Sequence, residues 1–146
     1  MARVVVGVDA TPGSRAAVRW AVEYAPERGH SLTFVHAYVI PAHPSPAGPV
    51  RTKEMQRDAR DRAQHLVDRA LRVAAAVPGL AADGVIAEGD AVEVLVAQVA
   101  AADLLVLGAH EAGGLLRTRR LGGVLSRCLH AAPCPVVVVP EQEADR

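Results

Sequence analysis

The sequence lacks several features that would place it in a broad functional class. It has no uncompensated charge: sixteen Lys and Arg against sixteen Asp and Glu give a formal net charge of zero. An overall electrostatic footprint of the kind that holds nucleic acid or anionic lipid is therefore missing, and any charged partner must be met by a local patch. It has no long hydrophobic run near its start: MARVVVGVDA holds only three consecutive valines before Gly7 and Asp9, too few for the apolar stretch of a signal peptide or a membrane span. Cysteine is scarce. Cys128 and Cys134 stand six positions apart, with His130 between them, outside any CxxC or zinc-type spacing; this argues against a disulfide framework or a tetrahedral metal site and fits reduced thiols buried in helix and strand. Lysine is nearly absent, Lys53 being the only one, and arginine with abundant alanine takes its place, a bias expected of a GC-rich bacterial source. No internal repeat recurs at a 20 to 50 residue period, and only one proline-rich stretch is of low complexity. The expected compartment is the cytoplasm, with neither nucleic acid nor membrane as partner.

What is present is apolar and alternates in kind. The 146 residues are 51% hydrophobic, enough for one full core, and a single domain over 1–146 is expected, with a flexible proline-rich loop at 41–52 and a disordered tail at 141–146. Arg3 to Val8 reads as a strand whose Val4-Val5-Val6 lacks polar alternation, as a parallel strand buried on both faces does. The turn cluster Asp9-Ala10-Thr11-Pro12-Gly13-Ser14 leads into a helix with Ala17, Ala21, Tyr24 and Ala25 on one side, which Pro26 should end or bend. Leu32 to Val39 is a second strand. Lys53 to Val77 is a long one-sided helix through Ala59, Ala63, Leu66, Val67, Ala70 and Ala74, stopped at Pro78-Gly79. Gly84 to Glu88 is a short strand. Gly89-Asp90 then caps a helix carrying Val92, Leu95, Val96 and Val99 on its inner stripe, a structural task and not a catalytic one. Leu104 to Leu107 is a two-sided strand, Val124 to Ala131 a short helix, and Pro135 to Val139 a last valine strand. Buried strands alternating with one-sided helices require right-handed crossovers, hence an open, doubly wound, five-stranded parallel sheet with helices on both faces.

In such sheets the ligand crevice forms beyond the carboxyl ends of the strands, where strand order reverses. Two loops compete for that place: Gly7-Val8-Asp9-Ala10-Thr11 after the first strand, and Gly108-Ala109-His110-Glu111-Ala112-Gly113-Gly114 after the fourth. Glycines allow close approach of backbone to a phosphate, and the helix beginning near Gly122-Gly123-Val124 offers N–H donors with the positive end of its dipole behind them. The arrangement suits an anionic ligand.

The segments VVVGVDATPGSRAAVRWAVEYA, LTFVHAYV, EGDAVEVLVAQVAAADLLVLGAHEAGG and LGGVLSRCLHAAPCPVVVVP together resemble the universal stress protein family, from Val4 to about Pro140. The resemblance implies a Rossmann-like sheet in the order 3-2-1-4-5 and a nucleotide-sized cleft. Many members bind ATP through Gly, two residues, Gly, nine residues, Gly, then Ser or Thr. Gly108 fits the first position, but Glu111 stands where the second glycine is expected, ten residues separate it from Gly122, Gly123 replaces the hydroxyl residue, and Leu125 replaces a second one. Each lost hydroxyl removes a hydrogen bond worth about 1 kcal/mol, more to a charged partner. The candidate nucleotide-binding residues are thus Val8, Asp9, Ala10, Thr11, Ala37, Gly108, Gly113, Gly114, Gly122, Gly123 and Val124, for ATP, with magnesium, or AMP bound weakly. Ala37 is included because the backbone at its position meets the adenine edge in nucleotide-binding members. The resemblance also implies a homodimer through the last strand, Val136, Val137, Val138 and Val139, whose apolar edge would otherwise lie exposed.

Several residues keep two readings. Asp9 either orients the ribose side of a nucleotide or closes an Asx-type turn. Arg117, Arg119 and Arg120 either pair with phosphate in place of the missing hydroxyls or belong to a solvated loop. His110 beside Glu111 has the look of an acid and base pair, but no nucleophile stands at a motif spacing from either. Trp20 and Tyr24, four apart, are expected to pack on the sheet or its rim. Three functions compete. One is a nucleotide-responsive regulator in which no covalent chemistry need occur. A second is a stress adaptor without nucleotide, acting on a client through its dimer or partner surface. The third is an enzyme of the related pyrophosphatase type, which would need a Ser-Gly-Gly-x-Asp-Ser loop where this chain has Gly7-Val8-Asp9-Ala10-Thr11; slow ATP hydrolysis is the most it would retain.

Overall fold

A computed structural model describes residues 2–101, 103–109 and 123–141. Strand β1 (Arg3–Gly7) is followed by helix α1 (Pro12–Glu27), β2 (Ser31–Tyr38), α2 (Lys53–Ala75), β3 (Ala82–Glu88), α3 (Ala91–Gln98), β4 (Leu104–Gly108), α4 (Gly123–Ala131) and β5 (Val136–Val139). The strands form one five-stranded sheet in the order β3-β2-β1-β4-β5, every pairing parallel. Central β1 holds β2 on one side, with Val4 opposite Leu32, and β4 on the other, with Val4 opposite Leu104. The order of strands therefore reverses between β1 and β4.

The unbroken valines of β1 are explained by what covers them. Successive side chains point to opposite faces. Val4 and Val6 join Leu32, Phe34, Val106 and the inner stripes of α1 and α2; Val5 joins Val35, Leu105, Leu107 and the inner residues of α3 and α4. All three valines are fully buried, and burial of such a side chain stabilises by about 1.5–3 kcal/mol.

Local chemistry sets the helix ends. Thr11 caps α1, its side chain accepting from the Ser14 N–H, with proline at the first helical position. Pro26 falls inside the last turn instead of ending the helix before it; α1 runs one residue further, to Glu27, and closes at Arg28 and Gly29, whose φ of 66° suits glycine. A proline there forgoes one hydrogen bond at an end that is about to stop, so it marks the boundary without breaking the helix. Thr52 caps α2 and Asp90 caps α3 in the same manner. Trp20 and Tyr24 stack with ring centroids 4.6 Å apart at the margin of the α1 side of the core. Within the segment expected to be a loop, His43 and Val50 exchange backbone hydrogen bonds of 2.8 and 2.7 Å, and Arg51 pairs with Glu88 at the end of β3. Among the described residues no helix is long and apolar enough to cross a membrane.

Candidate functional site

The cleft at the reversal point is built first from the turn after β1. The ladder continues one residue past the strand, Val8 N–H donating to the Val35 carbonyl at 2.8 Å. The chain then turns sharply. Asp9 Oδ1 accepts from the Thr11 N–H at 2.8 Å and also from the Thr11 hydroxyl. Thr11 Oγ1 accepts from the Ser14 N–H at 3.2 Å, and the buried Ser14 hydroxyl accepts from the Asp9 N–H at 2.9 Å. Asp9 therefore closes the Asx-type turn, and one carboxylate oxygen is consumed by it.

The second wall comes from the end of β4, and its glycine has a packing reason. A Cβ on Gly108 would lie 2.2 Å from the carbonyl carbon and oxygen of Gly13, and one on Gly13 would lie 2.3 Å from the Ala109 carbonyl oxygen. The first turn of α1 thus rests backbone to backbone on the end of β4. Ala109 N–H donates to the Val139 carbonyl at 2.8 Å, holding the exit from β4 against β5.

Between these walls lies a cleft of about 370 Å³ lined by main chain and small residues at its mouth (Gly7, Val8, Asp9, Thr11, Gly108), by Val35, Leu95, Leu107 and Leu125 inside, and by His36, Ala37, Ala91, Gly123 and Val124 around the rim. Its size falls in the usual range for small-molecule sites, which are mostly apolar with a few fixed polar groups. His36 is one such group: Nδ1 stands 2.6 Å from the Val8 carbonyl oxygen, so it donates there in the neutral ring and leaves Nε2 as the acceptor. The start of α4 supplies others, since the first N–H groups of a helix have no partner within it. Among the described residues nothing lies within 4 Å of a Cβ built on Gly123.

Two rim helices are tied together. Asp90, while capping α3 through the Glu93 N–H at 3.1 Å, also receives both Nη groups of Arg127 of α4, each at 3.1 Å. The Arg127 guanidinium, with the Glu93 amide behind it, holds the Asp90 carboxyl below the ordinary aspartate range, and Asp90 in turn raises Arg127. This bidentate geometry fixes where Ala91 and Gly123 stand across the rim.

Of the residues expected to meet at the site, Val8, Asp9, Thr11, Ala37, Gly108, Gly123 and Val124 line the cleft together. Ala10 does not: the turn points it to the other face of the sheet, into a groove between α1 and α2. Gly113, Gly114, Gly122, Arg117, Arg119 and Arg120, with His110 and Glu111, lie outside the described residues. Sequence reasoning missed Val35, Leu95 and Leu107 as lining residues, because their apolar character marked them only as core. His36 was missed as well, although a lone histidine in an apolar strand is a usable signal. Gly13 and Ser14 read in sequence as part of a turn cluster, and neither the buried hydroxyl bond nor the close approach has a local sequence mark.

Fold and cleft together define an open, doubly wound α/β domain of the Rossmann-like class with a ligand-sized crevice at its topological switch point. The family model described as the universal stress protein family matches residues 1–140, and the chain belongs to that family. A universal stress protein of Mycobacterium tuberculosis is 34% identical over 153 aligned positions, covering 97% of this chain and 48% of its own length; the chain spans about half the length of the curated relatives it matches. Among solved structures, a universal stress protein of Arabidopsis thaliana with AMP bound superposes with a TM-score of 0.69 at 21% identity, covering 99% of this chain and 95% of its own. One from Archaeoglobus fulgidus in complex with dAMP gives a TM-score of 0.60 at 18% identity, with 95% and 98% covered.

Proposed function

We propose that the cleft binds an adenine mononucleotide and that its occupancy, without a covalent step, is the output of a single regulatory domain working in the cytoplasm. The observation that carries this reading is the composition of the pocket: an apolar interior of Val35, Leu95 and Leu107 between a main-chain turn on one side and a helix N-terminus on the other. The base would lie against Val35 with its edge toward the backbone at Ala37, the ribose near Val8, Asp9 and Thr11, and the phosphate at Gly108 and the α4 amides of Gly123 and Val124. A triphosphate would need more, from Gly113, Gly114, Gly122, Arg117, Arg119 and Arg120, past the carboxylate of Glu111; ATP should therefore bind more weakly than AMP. Among the described residues no three His, Cys, Asp or Glu side chains converge, so magnesium would accompany ATP on the nucleotide's own oxygens. AMP and dAMP are what the Arabidopsis and Archaeoglobus relatives hold.

Calorimetric titration with AMP, and with ATP with and without magnesium, tests the reading. Saturable AMP binding, tighter than that of ATP, is expected; no heat from either at about 1 mM, roughly 4 kcal/mol of binding free energy, would remove the nucleotide reading and leave the adaptor. Gly123→Ser, placing a hydroxyl at the phosphate end where no described residue lies within 4 Å of its Cβ, should tighten AMP about fivefold, the equivalent of one hydrogen bond.

Assembly as a homodimer through β5 belongs to the same reading. Among the described residues β5 has one strand neighbour, β4, and Val138 is 36% exposed there, an edge that a twofold mate would cover. Sedimentation should find a dimer, and Val138→Lys should shift it to monomer.

A further inference from the structure

At the mouth of the cleft the ladder between β1 and β2 stops one step early, and a side chain stands where the next bond would form. In a parallel pair the hydrogen-bonding groups of every second residue point to the same neighbour. Val8 N–H donates to the Val35 carbonyl at 2.8 Å, so Val35 and Ala37 both turn their N–H and C=O toward β1, while those of His36 between them turn toward β3. Extending the register puts Val8 opposite His36, and the next bond would run from the Ala37 N–H to the Val8 carbonyl. Among the described residues that bond is not made. Nδ1 of His36 stands at the Val8 carbonyl oxygen instead, 2.6 Å away. The bond after it, from the Ala10 N–H to the Ala37 carbonyl, is not made either. There the Asp9 N–H donates to the Ser14 hydroxyl at 2.9 Å, and Ala10 is carried to the other face of the sheet. Ala37 lines the cleft and presents a donor and an acceptor side by side, neither with a backbone partner on that edge among the described residues. Backbone groups of a half-buried residue are ordinarily paired, so an open pair in a ligand-sized cleft is an edge for recognition.

We propose that His36 sets base selection in this cleft as a positioning residue: its ring caps the Val8 carbonyl, keeps the ladder from closing by one more step, and so reserves the Ala37 N–H and C=O for the edge of the base. The inference rests on the nucleotide reading of the cleft. The reserved pair decides which base fits. Adenine offers an acceptor at N1 beside a donor at its 6-amino group, and so matches a donor beside an acceptor. Hypoxanthine and guanine carry N1–H and a 6-oxo group, which set donor against donor and acceptor against acceptor and leave all four groups unsatisfied. The ring acts through the Val8 carbonyl and needs no contact with the ligand.

Amide exchange and calorimetry on the intact chain test it, with AMP and IMP as probes. Without nucleotide, the Ala37 amide should exchange much faster than that of Val35, its counterpart in the closed part of the ladder. AMP should bind about tenfold tighter than IMP and slow the Ala37 amide. His36→Leu leaves the Val8 carbonyl uncapped; it should protect the Ala37 amide in the free protein, weaken AMP about tenfold and bring AMP and IMP within about twofold of each other. His36→Asn, whose side-chain amide can donate in place of Nδ1, should restore both the fast exchange and the preference for AMP. A merely structural role for the ring would change stability and leave that preference unmoved. An Ala37 amide as protected as that of Val35 in the unmodified chain overturns the inference, as does equal affinity for AMP and IMP, or a preference that His36→Leu leaves intact. The first two outcomes need no variant, so they decide the matter even where His36→Leu fails to fold. Binding of neither nucleotide overturns the nucleotide reading and base selection with it, whereas equal binding of both overturns base selection alone.

Discussion

The two faces of the sheet are covered very differently. On one, α1 with 16 residues and α2 with 23 lay long stripes of small and branched side chains over Val4, Val6, Leu32 and Phe34. On the other, α3 with 8 residues and α4 with 9 reach only Val5, Val35, Leu105 and Leu107, through Val92, Leu95, Leu125 and Cys128. The contrast separates two tasks. Long helices supply most of the burial that holds the sheet together; short helices cover the other face incompletely, and the space they leave at the carboxyl ends of β1 and β4 is the cleft.

If that division holds, the largest effect should come from the thick face. Phe34→Ala, at a fully buried side chain, should destabilise by about 3–5 kcal/mol in urea denaturation, while Leu125→Ala beside the cleft should lie near 2 kcal/mol, because solvent can fill part of the space. The reverse ranking would break the comparison. Next comes the seam where the faces meet at the cleft. Gly108→Ala drives a Cβ into the Gly13 backbone, which cannot step aside as a side chain can, and should cost about 1–3 kcal/mol. Gly123→Ala, the same change where no described residue lies within 4 Å of the Cβ, should stay within about 0.5 kcal/mol.

A smaller and local effect concerns how the thin face is fastened. The Asp90 carboxyl titrates below its ordinary value of 3.8, so its contribution is fully present above that value and is lost as pH falls through the depressed folded value. Amide exchange should show α3 and α4 tied together at pH 5 to 7 and loosening selectively on strong acidification. Asp90→Asn or Arg127→Gln should remove that acid step, weaken AMP binding by displacing the α4 amides, and barely change global stability, since both partners are exposed. The smallest effect concerns the thiols. Burial raises both above their ordinary value, and Cys128 is fully covered. Alkylation of the native protein at pH 8 should therefore spare Cys128 and be slow at Cys134.

Much of the fold was legible because its signals are short-ranged. The two-sided valines of β1, the one-sided stripe of α2 and the caps at Thr11 and Asp90 each follow from residues within a few positions of one another. Boundaries drifted by one or two residues: Pro26 lies within α1, Gly108 within β4, and β3 begins at Ala82. The site was legible in part. The rule for parallel sheets pointed to the turn after β1 and the end of β4, and of the expected residues described there Val8, Asp9, Thr11 and Gly108 line the cleft. Ala10 does not, because a turn closed by Asp9, Thr11 and Ser14 rotates it away. The apolar lining escaped notice because a leucine facing a cleft and a leucine facing a core are identical in sequence.

Periodicity, caps and turn residues sufficed by themselves to specify five strands, four one-sided helices and the end of the sheet where a ligand could enter, because each of those signals is complete within one or two turns of chain. Only the folded molecule decided that Gly13 touches Gly108, 95 positions away, that His36 meets Val8, 28 away, and that Asp90 grips Arg127, 37 away. It alone decided as well that α1 and α2 leave a groove lined with arginine. Contacts between residues so far apart depend on how the crossovers pack, and no local pattern of side chains carries that geometry.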